Sequence, residues 1–261
     1  MTTSPDARDL VAALFEARST GGALAAFPAP VPATLVDAYA IQHALRAAIG
    51  SQVLGWKVGR IPAPLIETLG CERVAGPVLR VAELADDAPG EALVFADGAG
   101  AIEAEVMLRL SAVPDRRLGT NGDARAFVDD IRAGFEIASS PAPDVHDHAP
   151  FGIIADIGIN NGLLLGPRLD SDFDRIEVVT HIDGVEVGNG RACDVLDGPW
   201  GSLRFLVDLH HDGVIALEPG QWVSAGAITG VHPIRPGQSA TARFGADALI
   251  ACTALPDPGF Q

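Results

Sequence analysis

The chain has 261 residues, 48% of them hydrophobic, and a formal net charge of -16. This composition predicts a globular protein with a sizeable core and excludes a disordered chain. The acidic balance argues against a nucleic acid as partner, since no basic stripe is present to neutralise phosphates. A small anionic ligand would bind only where a metal ion or local basic side chains reverse the field inside a pocket.

Three features bear on the cellular compartment. Residues 1–10 lack the basic and apolar regions of a signal peptide, and the apolar stretch Gly152 to Leu165 is interrupted by polar side chains too often for a membrane span. Cys71, Cys193 and Cys252 are too few and too widely spaced for a disulfide framework or a zinc site, so they predict buried free thiols. We therefore expect a cytoplasmic protein without membrane contact.

The first third of the chain has mainly helical patterns. An amphipathic run extends from Ala7 to Arg18, and a second helix begins after Thr34 and ends at Gly50. Thr34 and Asp37 have the spacing of a capping box, which stabilises a helix start. We expect residues 1–90 to form a small, mainly helical region that docks on a larger unit.

Beyond residue 90 the pattern changes to short strands separated by Gly, Asp and Pro. Asp183 and Gly184 predict a tight hairpin turn, and helical patterns interrupt the strands only at Asp123 to Ala133 and at Trp200 to His211. The chain is therefore predicted to be an α+β protein in which residues 91–261 form a mostly antiparallel β domain.

Lys57 is the one lysine among the 18 Lys and Arg residues of the chain. Where only a positive charge is needed, arginine serves equally well. A retained lysine indicates a need for a compact ammonium with a tunable pKa that gives or takes a proton. The alternative interpretation is a solvated surface lysine that survived compositional drift by chance.

Three glutamates stand out by their apolar neighbours. Residues 102–106 alternate strictly, so on a strand Glu103 and Glu105 emerge on one face. Their repulsion is tolerated at a solvated edge, or is offset when the pair binds a divalent cation. Glu136 also lies in an apolar segment, where an unpaired acid is costly. Together the three carboxylates offer the oxygen ligands that Mg2+ or Mn2+ prefers.

Seven segments occur in the order seen in the 2-keto-4-pentenoate hydratase family, which the chain resembles from about Ala38 to its C-terminus. That family includes 2-oxo-3-hexenedioate decarboxylases and belongs to the fumarylacetoacetate hydrolase superfamily. The segments are AYAIQ (38–42), GWKVG (55–59), GPVL (76–79), IEAEV (102–106), GFEIASS (134–140), ADIGINNGLLLG (155–166) and AGAITG (225–230). The resemblance implies the β-rich fold of the C-terminal domain of fumarylacetoacetate hydrolase.

The resemblance also implies roles for individual residues. It makes Lys57 the active-site lysine and assigns the metal to Glu103, Glu105 and Glu136. It places Asp156 and Thr229 at the substrate, and we add Arg60 as a candidate for binding a substrate carboxylate because it lies close to Lys57 in the sequence. Two positions depart from the family pattern, since Ala75 replaces a frequent Asp and Ala227 replaces a Ser.

The resemblance implies a metal-dependent lyase that hydrates 2-hydroxypenta-2,4-dienoate to 4-hydroxy-2-oxopentanoate in aromatic catabolism. A 2-oxo-3-hexenedioate decarboxylase needs the same metal and the same enolate. Less favoured alternatives are a hydrolase of carbon-carbon bonds in acylpyruvates and a non-catalytic subunit. We expect a small anionic 2-oxo or 2-hydroxy-dienoic acid as substrate and a homo-oligomeric assembly.

Overall fold

A computed structural model describes residues 5–85, 88–169, 173–246 and 248–260. These residues form the helices α1 (Pro5–Thr20), α2 (Leu35–Ile49), α3 (Ala63–Leu69), α4 (Asn121–Arg125), α5 (Phe151–Ala155) and α6 (Gly198–His211). The strands are β1 (Gly55–Arg60), β2 (Arg73–Val78), β3 (Val81–Glu83), β4 (Gly90–Val94), β5 (Ala99–Leu110), β6 (Val128–Ser140), β7 (Asn160–Arg168), β8 (Glu177–Ile182), β9 (Val185–Arg191), β10 (Trp222–Ser224), β11 (His232–Pro233), β12 (Ser239–Phe244) and β13 (Ala248–Pro256). Single 3-10 turns occur at Val145–His148, Ile157–Ile159, Phe173–Arg175 and Ala192–Asp194.

The strands form two sheets. The larger sheet has the order β2-β1-β10-β5-β6-β7-β3, and β11 pairs with β5 beside this path. The smaller sheet has the order β4-β13-β12-β8-β9. Within the described residues only three pairs are parallel, namely β1 with β10, β3 with β7 and β4 with β13. The predicted α+β class with a mostly antiparallel β core is therefore confirmed.

The main core lies between the two sheets. Alternation along β5 sends Ile102, Ala104 and Val106 into this core, where they join residues of the smaller sheet such as Ala242 and Ile250. Helix α6 covers the same core with its buried leucines. Because side chains alternate, Glu103 and Glu105 must lie on the opposite face of the larger sheet, away from the main core.

Helix α2 follows the predicted capping pattern and fixes the edge of the larger sheet. The Thr34 side chain accepts a hydrogen bond from the Asp37 amide, and Gly50 ends the helix in the left-handed region. Gln42 donates to the carbonyls of Ala75 and Ile154, while the Ala75 amide donates to the Tyr39 hydroxyl. These bonds hold β2 and α5 against one helix.

One predicted helix is wrong and one predicted turn is confirmed. Asp123 to Ala133 is helical only as far as Arg125, and β6 begins at Val128. Pairing of β6 with the whole length of β5 outweighs the weak helical pattern of this segment. Asp183 and Gly184 join β8 to β9 with φ values of 49° and 79°, as a two-residue hairpin turn of this type requires.

The described part of residues 1–89 contains strands in addition to its helices. These strands, β1 to β3, lie in the same sheet as β5, β6 and β7. The two sides of the predicted boundary at residue 90 thus share one sheet, and the division into domains stays a prediction. Cys252 is buried, Cys71 is half-buried and Cys193 is exposed, so the prediction of buried thiols holds for Cys252 and fails at Cys193. None of the described helices has the length and apolarity that crossing a membrane requires.

Candidate metal centre

The three glutamates of the sequence pattern meet on one face of the larger sheet. Glu103 and Glu136 are direct neighbours across β5 and β6, and Glu105 lies two residues further along β5. One carboxylate oxygen from each lies within 4.8 Å of the others. Their exposed fractions are 6%, 0% and 0% for Glu103, Glu105 and Glu136, which excludes the solvated strand edge as the explanation.

Lys57 reaches this cluster from β1. Its Nζ lies 3.1 Å from Glu136 Oε1, and the residue is only 4% exposed. Burial would lower the pKa of Lys57, but the negative charges of Glu136, Glu103 and Glu105 outweigh it and raise the pKa above its ordinary value. The interpretation of Lys57 as a solvated survivor is therefore wrong, and the lysine is an ammonium facing three carboxylates.

In Glu105 and Glu136, one carboxylate oxygen accepts hydrogen bonds and the other has no hydrogen-bond partner. Glu105 Oε2 accepts hydrogen bonds from the Ser224 hydroxyl at 2.5 Å and the Gly226 amide at 2.8 Å. Glu136 Oε1 accepts from Asn160 Nδ2 at 3.1 Å as well as facing Lys57. Glu105 Oε1 and Glu136 Oε2 are buried without a hydrogen-bond partner. In a cluster whose carboxylates approach within 4.8 Å of one another, such unpartnered oxygens fit a divalent cation.

The pKa values of the carboxylates also indicate an excess of buried negative charge at the cluster. Burial, followed by the charge of Glu136, raises the pKa of Glu103 to about 7, although Lys57 acts in the opposite direction. Burial together with Glu136 and Glu103 raises the pKa of Glu105 well above its ordinary value, against the bonds from Ser224 and Gly226. One ammonium does not compensate three buried carboxylates, and a divalent cation bound to all three would.

Ser224 and Asn160 are site residues that the sequence interpretation missed. Asn160 interrupts a long apolar run, which is a signal for a buried polar role. Ser224 carries no such signal, because its contact with Glu105 depends on β10 lying between β1 and β5. This placement joins segments more than one hundred residues apart, so local sequence does not reveal it.

A tight turn of three left-handed residues packs against Lys57. Ile157, Gly158 and Ile159 have φ values of 48°, 70° and 52°. Gly158 meets Gly76 backbone to backbone: a Cβ added at Gly76 would lie 2.6 Å from the Gly158 Cα. A Cβ at Gly158 would lie 3.3 Å from the Cδ of Lys57. The turn therefore forms one wall of the cluster.

Replacing Gly76 by alanine is expected to destabilise the protein by about 1–3 kcal/mol, the usual cost of forcing extra volume into a packed interior. The new Cβ would also lie 2.7 Å from the Ile157 carbonyl oxygen, so the backbone of the turn must move. Thermal unfolding measures the effect. Gly122→Ala is the matched control, since only the Thr120 hydroxyl at 3.7 Å lies near its new Cβ in α4. An unchanged melting temperature for Gly76→Ala would contradict the close contact.

The three predicted substrate-binding residues lie in different settings. Asp156 is fully buried just before the turn and pairs with Arg18. The Thr229 hydroxyl contacts Thr180 Oγ1 at 2.8 Å and His232 Nε2 at 3.1 Å. Arg60 is exposed at the end of β1, and strand alternation places it on the face opposite Lys57. Asp156 thus precedes the turn that packs against Lys57, whereas Arg60 lies on the other face of β1. The substrate roles of Asp156, Thr229 and Arg60 stay predictions.

No protein-family model matches the sequence, and a search of curated proteins found no match. Solved structures do match. The chain superimposes on 4-oxalocrotonate decarboxylase from Pseudomonas putida G7, complexed with magnesium and adipate, with a TM-score of 0.79. The sequences are 20% identical, and the match covers 98% of this chain and 99% of the other.

More distant matches share the same architecture. Fumarylpyruvate hydrolase from Pseudomonas aeruginosa, complexed with Mn2+ and pyruvate, gives a TM-score of 0.56 at 15% identity, covering 77% of this chain and 88% of that one. A putative fumarylacetoacetate hydrolase family protein from Yersinia pestis CO92 gives 0.52 at 12% identity, covering 77% and 92%. The chain thus has the fold of the fumarylacetoacetate hydrolase superfamily, which confirms at the level of fold the resemblance that the sequence segments indicated.

Proposed function

We propose that the chain is a divalent-metal-dependent lyase of the 2-keto-4-pentenoate hydratase family and acts on a small 2-oxo or 2-hydroxy-dienoic acid. One observation carries the proposal: three buried carboxylates converge within 4.8 Å, and the one lysine of the chain lies 3.1 Å from one of them. The shared fold with metal-complexed enzymes supports it. The preferred reaction is hydration of 2-hydroxypenta-2,4-dienoate.

Glu103, Glu105 and Glu136 would hold Mg2+ or Mn2+. In Glu105 and Glu136 the ligating oxygen would be the one that accepts no hydrogen bond from Ser224 or Asn160. When bound, the cation supplies the positive charge that attracts the substrate's carboxylate and 2-oxygen and stabilises negative charge developing on that oxygen. In a chain with a formal charge of -16, such a local reversal of the field is needed for an anionic substrate.

Lys57 moves the proton in this proposal. The substrate loses the proton of its 2-hydroxyl group and gains one at C5, which gives a 2-oxo-3-enoate. Water then adds across C3 and C4, with its hydroxyl going to C4 and a proton to C3, so that 4-hydroxy-2-oxopentanoate forms and all atoms balance. The ammonium of Lys57 is buried and faces the cluster, where it can donate and take back a proton between oxygen and carbon.

Decarboxylation of 2-oxo-3-hexenedioate is the second candidate, and the match to 4-oxalocrotonate decarboxylase favours it. That substrate has a second carboxylate, which a buried cation would bind. In the described part of the chain the buried cations are Lys57, Arg18 and Arg73, and each is paired with a carboxylate. With no spare buried cation in these ranges, hydration of the monocarboxylate is the better fit.

The other two alternatives have less support. A hydrolase of carbon-carbon bonds needs a base that activates water, usually a histidine oriented by a carboxylate. His146 lies near enough to Lys57 for the lysine charge to add to partial burial in lowering the histidine pKa. However, no carboxylate hydrogen-bonds to His146 among the described residues. A non-catalytic subunit would have no need for a buried lysine beside three buried carboxylates.

Turnover assays with both substrates test the proposal directly. Purified protein is mixed with Mg2+ and 2-hydroxypenta-2,4-dienoate, and loss of the dienol absorbance is followed. A parallel reaction with 2-oxo-3-hexenedioate is monitored for release of CO2. We expect metal-dependent consumption of the dienoate, abolished by a chelator. CO2 release with no dienoate consumption would replace the hydratase by the decarboxylase, and turnover of neither substrate would overturn the lyase.

A further inference from the structure

A buried ion pair adjoins the turn 157–159, and the proton transfer proposed above does not use it, although the resemblance places its Asp156 at the substrate. Arg18, on α1, and Asp156 are both 0% exposed, and Arg18 Nε lies 2.5 Å from Asp156 Oδ1. Removing two charges from water is costly, and apolar side chains of similar volume often stabilise a protein equally well. The pair therefore calls for an explanation beyond stability alone.

The guanidinium of Arg18 contacts both ends of one short segment. Besides the Asp156 carboxylate, it donates to the Asp156 carbonyl at 3.3 Å and to Asn161 Oδ1 at 3.4 Å. It also donates to the carbonyl of Ser139 at 3.2 Å. Ser139 lies on β6, three residues beyond Glu136. One planar side chain thus bridges the two ends of segment 156–161 and links the segment to the strand that carries Glu136.

The segment between these anchors is under backbone strain. Its two isoleucines, Ile157 and Ile159, adopt positive φ angles, which β-branched residues avoid. Gly158, between them, meets the backbone of Gly76, and a Cβ added there would lie 3.3 Å from the Cδ of Lys57. Asn160 follows at once and hydrogen-bonds to Glu136. A strained segment persists only when its surroundings hold it, so its anchors set the positions of Lys57 and Asn160.

We propose that Arg18 is a positioning residue: through Asp156 and Asn161 it holds the turn 157–159 against Lys57 and directs Asn160 onto Glu136. Helix α1, which contributes no side chain to the carboxylate cluster, thereby becomes part of the support of the metal centre. The effect on turnover rests on the proposed function, whereas the effects on the turn and on metal binding do not.

Arg18→Lys tests this role because it keeps the positive charge and loses the planar fork. We expect the amides of residues 157–160 to exchange with solvent at least about tenfold faster. Mn2+ affinity falls about 10-fold or more, as for loss of an outer partner of a metal ligand. The kcat falls about 100-fold with little change in KM, as misplacement of a catalytic group by about 1 Å would cause. Arg117→Lys is the matched control, because Arg117 forms an exposed ion pair with Asp208 and Asp212.

A second variant covers the case in which Arg18→Lys does not fold. Arg18→Met combined with Asp156→Asn removes both charges, so no lone charge stays buried. We expect a folded protein with the same faster exchange and weaker Mn2+ binding. Exchange and Mn2+ affinity equal to wild type in a folded variant would overturn the proposal. If wild-type protein turns over neither substrate, the proposed function fails, while the exchange and Mn2+ measurements still decide the role of Arg18.

Discussion

Replacing Lys57 by arginine is expected to abolish most turnover while the fold and the metal site persist. Arginine keeps the positive charge next to Glu136, so the ion pair with the carboxylates survives. Its guanidinium is planar and too broad to occupy the position of the compact ammonium, so it cannot exchange a proton with the same atoms. The expected loss in kcat is about 10²–10⁴-fold, the usual contribution of a general acid or base.

Lys57→Met separates the charge of the lysine from its proton chemistry. Methionine fills the space of the buried stem but leaves the carboxylates without their ion-pair partner. Both variants should lose turnover, and only the methionine variant should also change the binding of Mn2+. The measurements are kcat with each of the two substrates and Mn2+ titration of the metal-free protein. Near-normal turnover in the arginine variant would contradict proton transfer by Lys57 and leave it a purely electrostatic partner.

Sequence alone predicts those parts of the site that depend only on local periodicity. Alternation along β5 places Glu103 and Glu105 on one face, because the period of a strand is fixed over any two residues. Glu136 stands out in the sequence as an acid among apolar neighbours. Its position opposite Glu103 depends on the pairing register of β5 and β6, which is set by contacts distant in sequence. That the three glutamates meet at one site is implied by the resemblance to a known family, not by periodicity.

The residues that sequence missed all act across long sequence separations. Ser224 reaches Glu105 only because β10 inserts between β1 and β5. Arg18 looks like one more polar position at the end of an amphipathic helix, and nothing in its surroundings reveals Asp156 as its partner. The failed helix from Asp123 to Ala133 has the same origin, since pairing of β6 with β5 overrides local preference.

Replacing Glu105 by glutamine is expected to weaken Mn2+ binding by more than about 100-fold, beyond what loss of an outer partner of a ligand costs. Glutamine has the same shape, so its amide can still accept from Ser224 and Gly226 at one oxygen. What disappears is the free, negatively charged oxygen that is buried without a partner. The amide nitrogen that takes its place has no lone pair to offer a cation.

The same substitution is expected to stabilise the metal-free protein at neutral and alkaline pH. Burial, with the charges of Glu136 and Glu103, raises the pKa of Glu105 in the folded state. The folded chain then binds this proton more tightly than the unfolded chain does, so the free energy of unfolding falls as pH rises above the unfolded pKa of about 4.3. For Glu103 the free energy of unfolding likewise falls as pH rises, up to the folded pKa of this residue of about 7. Glutamine removes the contribution of Glu105, and the two proteins should converge in stability below about pH 4.

Melting temperatures measured near pH 8, once with a chelator and once with excess Mn2+, test both effects in one experiment. Wild-type protein should melt low in chelator and gain strongly from Mn2+, because a ligand that binds only the folded state stabilises it. Glu105→Gln should melt higher in chelator and gain little from the ion. Glu91→Gln, at an exposed carboxylate on β4, is the matched control and should behave as wild type. Wild-type Mn2+ affinity in Glu105→Gln would show that Glu105 is no ligand. A lower melting temperature in chelator would show that its buried charge is compensated by the folded protein itself.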